Sequence, residues 1–128
     1  MIIALAGRRV DAPEADTPRF PLAYVTAVRD RIKSLLVAQQ ARAVICSAAC
    51  GADLLALEAA GELGLRRRIV LPFTRARFRE TSVVDRPGDW GERFDAILDA
   101  VEASGDLVVL GYADGDEAAY RAANAAIF

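Results

Sequence analysis

The sequence predicts an α/β fold: a Rossmann-like, doubly wound parallel sheet running βαβαβαβα. Short apolar runs alternate four times with longer segments of helical periodicity. Those short runs are apolar throughout rather than at every second residue, the pattern of parallel strands covered on both faces. At 128 residues the chain fits a single domain, 1–128, with room for a core that needs no disulfide or metal staple.

The first strand is "IIALAG" (2–7), punctuated by Gly7. A polar loop, "RRVDAPEADTPRF", leads to Pro21, whose fixed φ and missing N–H suit the opening of a helix. Val25, Val28, Ile32, Leu35 and Leu36 give that helix one apolar stripe. "AVICS" (43–47) is the second strand, followed by a helix from about Ala52 to Leu63 that Gly64 stops. "RIVLPF" (68–73) is the third strand. The stretch after it, "TRARFRETSVVDRPGDW", reads as one irregular segment rich in turn formers. Loops of that length are often lids or binding loops. Phe94, Ile97, Leu98 and Val101 mark a helix over about 91–103, and "DLVVLGY" (106–112) is the fourth strand. The last helix, "DEAAYRAANAAIF", has no strand after it, so the sheet edge reads as unfinished. Either a partner domain or a second copy of the chain covers that C-terminal edge, or the natural chain is longer and this form is truncated.

Apolar residues make up 54% and charged residues 27% of the chain, and its apolar runs fall far short of the roughly 20 residues that span a bilayer. No membrane partner is expected. The N-terminus is apolar first and basic second, the reverse of a secretory signal, which points to the cytoplasm. A net charge of −2 argues against a general nucleic-acid binder, which needs a basic face. With no histidine and two cysteines, a Cys/His zinc site is impossible and a four-cysteine site lacks ligands, so neither metal nor cofactor is expected. Cys46 and Cys50 read as buried reduced thiols. The alternative is thiolate character at Cys50, near a helix start.

In open parallel sheets, ligands bind beyond the carboxyl ends of the strands, at the crevice where strand order reverses. That rule selects Gly7-Arg8-Arg9, Ser47 to Asp53, Phe73 onward, and Gly111 to Asp114. Glycine lets a backbone approach a ligand, and arginine's planar fork matches phosphate or carboxylate oxygens. The small-residue run before Gly51 feeds a helix N-terminus, where free N–H groups favour an anion. Asp53 is either a first-turn cap or a carboxylate for ribose hydroxyls or a polar base edge. Glu58 has Leu54, Leu55 and Gly61 as helical neighbours, so it either pairs with a cation, has a raised pKa, or sits on an exposed face with Glu62. Arg75, Arg77 and Arg79 with Ser82 read as a mobile cover carrying phosphate donors, or as a solvated basic loop. Tyr112 could stack on a base, or be a rim aromatic.

Taken in order, "GRRVD", "RFP", "CGADLLALEAA", "VLPF", "F…SV" and "W…RF" give the chain a resemblance to the SLOG superfamily, from Gly7 to about Tyr120. That superfamily groups Rossmann-like proteins related to the DNA-processing protein DprA/Smf and to the LOG phosphoribohydrolases. The chain looks most like uncharacterised bacterial members, including domains that accompany TIR-like or nucleotide-cyclase modules. The resemblance implies a site for a nucleotide or nucleotide-derived ligand, with Gly7, Arg8 and Arg9 in the first loop and Gly51, Asp53 and Glu58 in the second. Arg19, of the RFP stretch, is also expected to bind ligand. Ser47, Ser82, Gly111 and Tyr112 complete the expected ligand-binding set. Related sequences often read Gly-His-Arg where this chain has Gly7-Arg8-Arg9, and the LOG-type Pro-Gly-Gly-x-Gly-Thr-x-x-Glu stretch is missing.

The expectation is a module that binds or senses a nucleotide-like small molecule at the C-terminal strand ends. An alternative is a nucleoside or nucleotide N-glycosidic hydrolase or ribosyl transferase in which Glu58 or Asp53 stabilises the oxocarbenium-like centre or activates water. A further one is an oligomerising accessory domain.

Overall fold

The computed structural model describes residues 1–112 and 117–128, so the expected ligand-facing stretch after the fourth strand lies partly outside the described residues. The strands are β1 (Ile2–Ala4), β2 (Ala43–Cys46), β3 (Arg66–Leu71) and β4 (Leu107–Val109). The helices are α1 (Val25–Ala38), α2 (Ala52–Glu62), α3 (Arg75–Ser82), α4 (Trp90–Ala103) and α5 (Glu117–Ile127), and a 3-10 turn at Leu22–Tyr24 precedes α1. These four strands pair in parallel, in the order β1-β2-β3-β4.

Strand alternation divides the core between the two faces of the sheet. Val44 and Cys46 of β2 and Ile69 and Leu71 of β3 pack with Leu36 of α1, Leu54 and Leu57 of α2, and Phe94 and Leu98 of α4. Between them in sequence, Ile45 and Val70 point to the other face, where Val108, Ala123 and Ile127 join them. The result is the expected α/β fold, a small Rossmann-like parallel sheet with helices on both faces. Helix α2 is buried on nearly every side, including Leu54, Leu55, Ala56, Leu57, Ala59 and Ala60, because it lies between α1 and α4. Its alanines let those neighbours approach closely. Gly64, at φ +72°, ends the helix as expected, with the Leu65 N–H closing back on the Ala60 carbonyl at 2.9 Å.

Three departures from the sequence reading shape the site. The irregular segment after β3 contains α3. Thr74 caps that helix, its side chain accepting from the Arg77 N–H, and Phe78 and Ser82 form its buried stripe. Strand β1 stops at Ala4; the Leu5 N–H still reaches the Ile45 carbonyl at 3.0 Å, after which the chain leaves the ladder. Strand order never reverses among the described strands, so no crevice forms by reversal. It forms instead because α5 lies on the face opposite the other sheet-packed helices and supplies a wall there. No helix among the described residues is long and apolar enough to cross a membrane.

Candidate functional site

Two glycines bring the first two loops together. Gly51 has φ +118° and forms an antiparallel bridge with Arg9, while the next N–H, of Ala52, donates to the Arg8 carbonyl at 3.0 Å. A Cβ on Gly7 would stand 2.3 Å from the Cβ of Ala52. At Gly51 backbone lies directly on backbone, and at Gly7 the Ala52 methyl fills the space a side chain would need, so both positions take only glycine.

Beside this junction is a cavity of about 420 Å³, within the size range of small-molecule sites. The first loop lines it with Leu5, Ala6, Gly7 and Arg9, and the second with Ser47, Ala49 and Asp53. Helix α3 adds Phe78, Thr81 and Ser82; α5 adds Tyr120, Asn124 and Ile127.

Asp53 is 7% exposed and does not cap its helix. Gly51 holds the N-cap position, and the Asp53 carboxylate turns back so that Oδ2 accepts from the Ala49 N–H at 3.3 Å. Burial pushes its pKa up to about 6, against the opposing pull of the Ala49 and Gly7 amides. Its other oxygen, Oδ1, is buried and completes no hydrogen bond, the Gly7 amide acting on the carboxyl without the geometry of one. Among the described residues, two more buried side-chain atoms share that condition, Arg9 Nε and Ser47 Oγ. All three belong to residues that line the one cavity. An unmet buried polar group costs about 1–3 kcal/mol, so three in one place call for an explanation. A ligand bearing both donors and acceptors would satisfy them together.

One terminal nitrogen of the Arg9 guanidinium, Nη2, is occupied. Nη2 donates to the Asp85 carboxylate and to Cys50 Sγ at 3.4 Å. Burial opposes the Arg9 charge, but Asp85 and the Cys50 sulfur outweigh it and raise the pKa. Burial likewise lifts the Cys50 thiol despite Arg9 beside it, and lifts Cys46 well above its usual value. Both cysteines are buried free thiols, and the thiolate alternative for Cys50 is not supported. At the cavity mouth, the Tyr120 ring meets Phe73 edge-on at 5.8 Å between centroids while remaining 41% exposed. It offers a surface on which a flat ring could stack.

Of the residues expected from sequence, the structure brings together Gly7, Arg9, Ser47, Asp53 and Ser82. It does not bring the others to the cavity. The Arg8 side chain is exposed, and its carbonyl is what holds Ala52. Arg19 is exposed on its loop, its N–H donating to the Asp11 carboxylate at 3.1 Å. Gly51 is buried in the loop junction rather than open to a ligand. Gly111 and Tyr112 are exposed, the Tyr112 N–H donating to the Pro72 carbonyl at 3.2 Å.

Glu58 takes the first of the alternatives its neighbours allowed, pairing with cations, and it does so away from the cavity. Five residues beyond Asp53, the helix has turned by roughly 140°, so the two acids point to different sides. Glu58 pairs with Arg93 at 3.1 Å and Arg29 at 3.4 Å, joining α2 to α4 and α1. A second hollow, about 440 Å³, opens there beside Arg29, Glu62 and Arg67. Arg29 and Lys33 also pair with Glu62, and Arg67 donates to the Leu57 carbonyl at 3.3 Å. Its charges answer one another, and for that reason it is the weaker candidate. Glu58→Gln is expected to lower stability by about 1 kcal/mol or less in urea titrations. Ligand affinity at the Asp53 cavity should not change.

The arginines of α3 are likewise committed to partners. Arg75 contacts Asp99 at 2.7 Å and Glu102 at 2.9 Å, Arg79 grips Asp95 through two bonds of 3.0 Å, and Arg77 meets Glu80 at 2.7 Å. They fasten α3, largely to α4, instead of offering a phosphate-binding lid.

Sequence reasoning missed Tyr120, Asn124, Thr81 and Phe78. A signal existed for the first two: Tyr120, Asn124 and Ile127 stand at i, i+4 and i+7, one helix face carrying a ring, an amide and an aliphatic group. Among the described residues, no group of three or more His, Cys, Asp or Glu side chains could hold a metal. Comparison of the chain with protein-family models, curated proteins and solved structures gave no match.

Proposed function

We propose that this protein binds or senses a nucleotide-derived small molecule in the cavity at the C-terminal ends of β1 and β2. The observation that carries the reading is the concentration of three unmet buried polar atoms, Arg9 Nε, Ser47 Oγ and Asp53 Oδ1, on the walls of one cavity. A carboxylate oxygen in need of a donor suits a ribose hydroxyl, the Arg9 N–H needs an acceptor, and the Ser47 hydroxyl can serve either way. Tyr120 adds a ring surface for a base. The resemblance of "GRRVD" and "CGADLLALEAA" to SLOG sequences supports the same ligand class. The grip rests on side chains more than on the start of α2, where the Ala52 N–H is already spent on Arg8.

Calorimetric titration with ribonucleosides, their monophosphates and ADP-ribose tests the reading. At least one of them should bind, and Tyr120→Ala should weaken it about tenfold, the usual worth of a base stacked on an aromatic ring. Binding by none, or binding untouched by Tyr120→Ala, would count against this site.

A second reading, cleavage of an N-glycosidic bond, is favoured by one observation: Asp53 combines a pKa of about 6 with a buried, unpartnered oxygen. An acid tuned toward neutrality can pass a proton to a departing base or take one from attacking water. Free base released from a ribonucleoside by the native protein, and not by Asp53→Asn, would establish it. Ligand recovered intact would leave binding alone.

A further inference from the structure

This inference rests on the nucleotide-derived ligand and concerns which form of it the site accepts. Arg9 is the cation on the cavity wall, and Asp53 is the anion there. Behind Arg9, on the segment between α3 and α4, Asp85 takes the Arg9 Nη2 donor. Asp85 is also approached by Arg86, Nε to Oδ2 at 3.7 Å, while Arg86 Nη1 donates to the Val10 carbonyl at 3.2 Å. Cys50, the remaining neighbour of Nη2, is a neutral thiol. With Asp53 ionised, these two arginines and two aspartates sum to zero charge.

A phosphate prefers a guanidinium that presents two parallel donors. Arg9 has Nε as its unmet buried donor, and Nη2 is engaged by Asp85 and Cys50. A phosphate placed against Arg9 would also face the Asp85 carboxylate beside it and the Asp53 carboxylate on the cavity wall. Like charges brought together oppose binding. An uncharged ribonucleoside meets no such opposition: its hydroxyls and ring nitrogens supply the donor for Asp53 Oδ1 and the acceptor for Arg9 Nε.

We propose that Asp85 is a specificity-determining residue: by occupying Arg9, it makes the cavity prefer an uncharged ribonucleoside moiety to its phosphorylated form. Asp85 acts through Arg9 and need not touch the ligand. Its side chain is partly exposed, so Asp85→Asn can remove the charge without opening the core.

The test is calorimetric titration at pH 8 of the full chain, Asp85→Asn and Asp106→Asn with adenosine, guanosine, cytidine, uridine and their 5′-monophosphates. Asp106 pairs with Arg66 at the other end of the strands, so its variant removes the same charge far from the cavity. The native chain should bind a nucleoside about tenfold or more tightly than its monophosphate. Asp85→Asn should shrink that ratio about tenfold, chiefly by strengthening the monophosphate, and Asp106→Asn should leave it unchanged. A native preference for the monophosphate, an unchanged ratio in Asp85→Asn, or an equal shift in Asp106→Asn would overturn the role of Asp85 while leaving the ligand class standing. Binding of neither series would overturn this inference, and if ADP-ribose also failed to bind it would overturn the ligand class with it.

Discussion

Gly51→Ala is expected to destabilise the chain by more than about 3 kcal/mol in urea unfolding and to abolish ligand binding at the cavity. At φ +118° and ψ −133° the residue occupies a region nearly closed to side chains, a strain of about 1–3 kcal/mol in itself. The added Cβ would also stand 2.6 Å from the Arg8 carbonyl oxygen, 2.8 Å from Arg9 Cα and 2.9 Å from Val10 N. Those are backbone atoms, which cannot swing aside as a side chain would, so the first loop must separate from the second. Separation breaks the Arg9–Gly51 bridge and carries Arg9 away from Asp53. Gly64→Ala is the natural comparison. Its φ of +72° is also positive, but a Cβ there meets nothing within 4 Å, so only the conformational cost of about 1–2 kcal/mol remains. Equal losses in the two variants would show that crowding between the loops is not what Gly51 relieves.

Asp53→Asn should do the opposite to stability and harm binding. The carboxyl has a pKa of about 6 in the folded chain against 3.8 in the unfolded one, so folding favours the protonated form. Between those values the native state holds more proton than the unfolded state, and stability falls as pH rises through the window. Above about pH 6 the penalty is complete, on the order of 3 kcal/mol. Asparagine carries no charge and can still accept from Ala49. At pH 8 the variant should therefore unfold at higher urea than the native chain, and near pH 4 the advantage should vanish. Its affinity for a ribonucleoside should drop about tenfold or more, since an amide cannot replace a charged acceptor for a hydroxyl. Higher stability with poorer binding is the pattern of a residue retained for function. A variant less stable than the native chain at both pH values would remove Asp53 from that class.

Much of this was legible in the chain itself. The apolar runs marked all four strands, and the spacing of Phe94, Ile97, Leu98 and Val101 marked the buried face of α4, because burial on one side leaves its period in the sequence. Gly7, Arg9, Ser47 and Asp53 fell at strand ends, where a parallel sheet presents its loops to a ligand. Other features depend on partners distant in sequence. Helix α3 looked like a loop because its arginines are answered by Asp95, Asp99 and Glu102 of α4, though Thr74 was a readable cap. Glu58 looked stranded among leucines, yet its cations come from α1 and α4. Tyr120 reaches the cavity only because α5 packs on the opposite face of the sheet from α1, α2 and α4, a choice its composition does not reveal.

The central claim is that the unmet oxygen of Asp53 receives a hydroxyl of the ligand. The most direct measurement follows the Asp53 carboxyl carbon by NMR across pH, with and without saturating ribonucleoside. Alone, the group should titrate near pH 6; with nucleoside bound, hydrogen bonds to the charged form should move its midpoint clearly lower. A midpoint that stays in place under saturating nucleoside would contradict the claim.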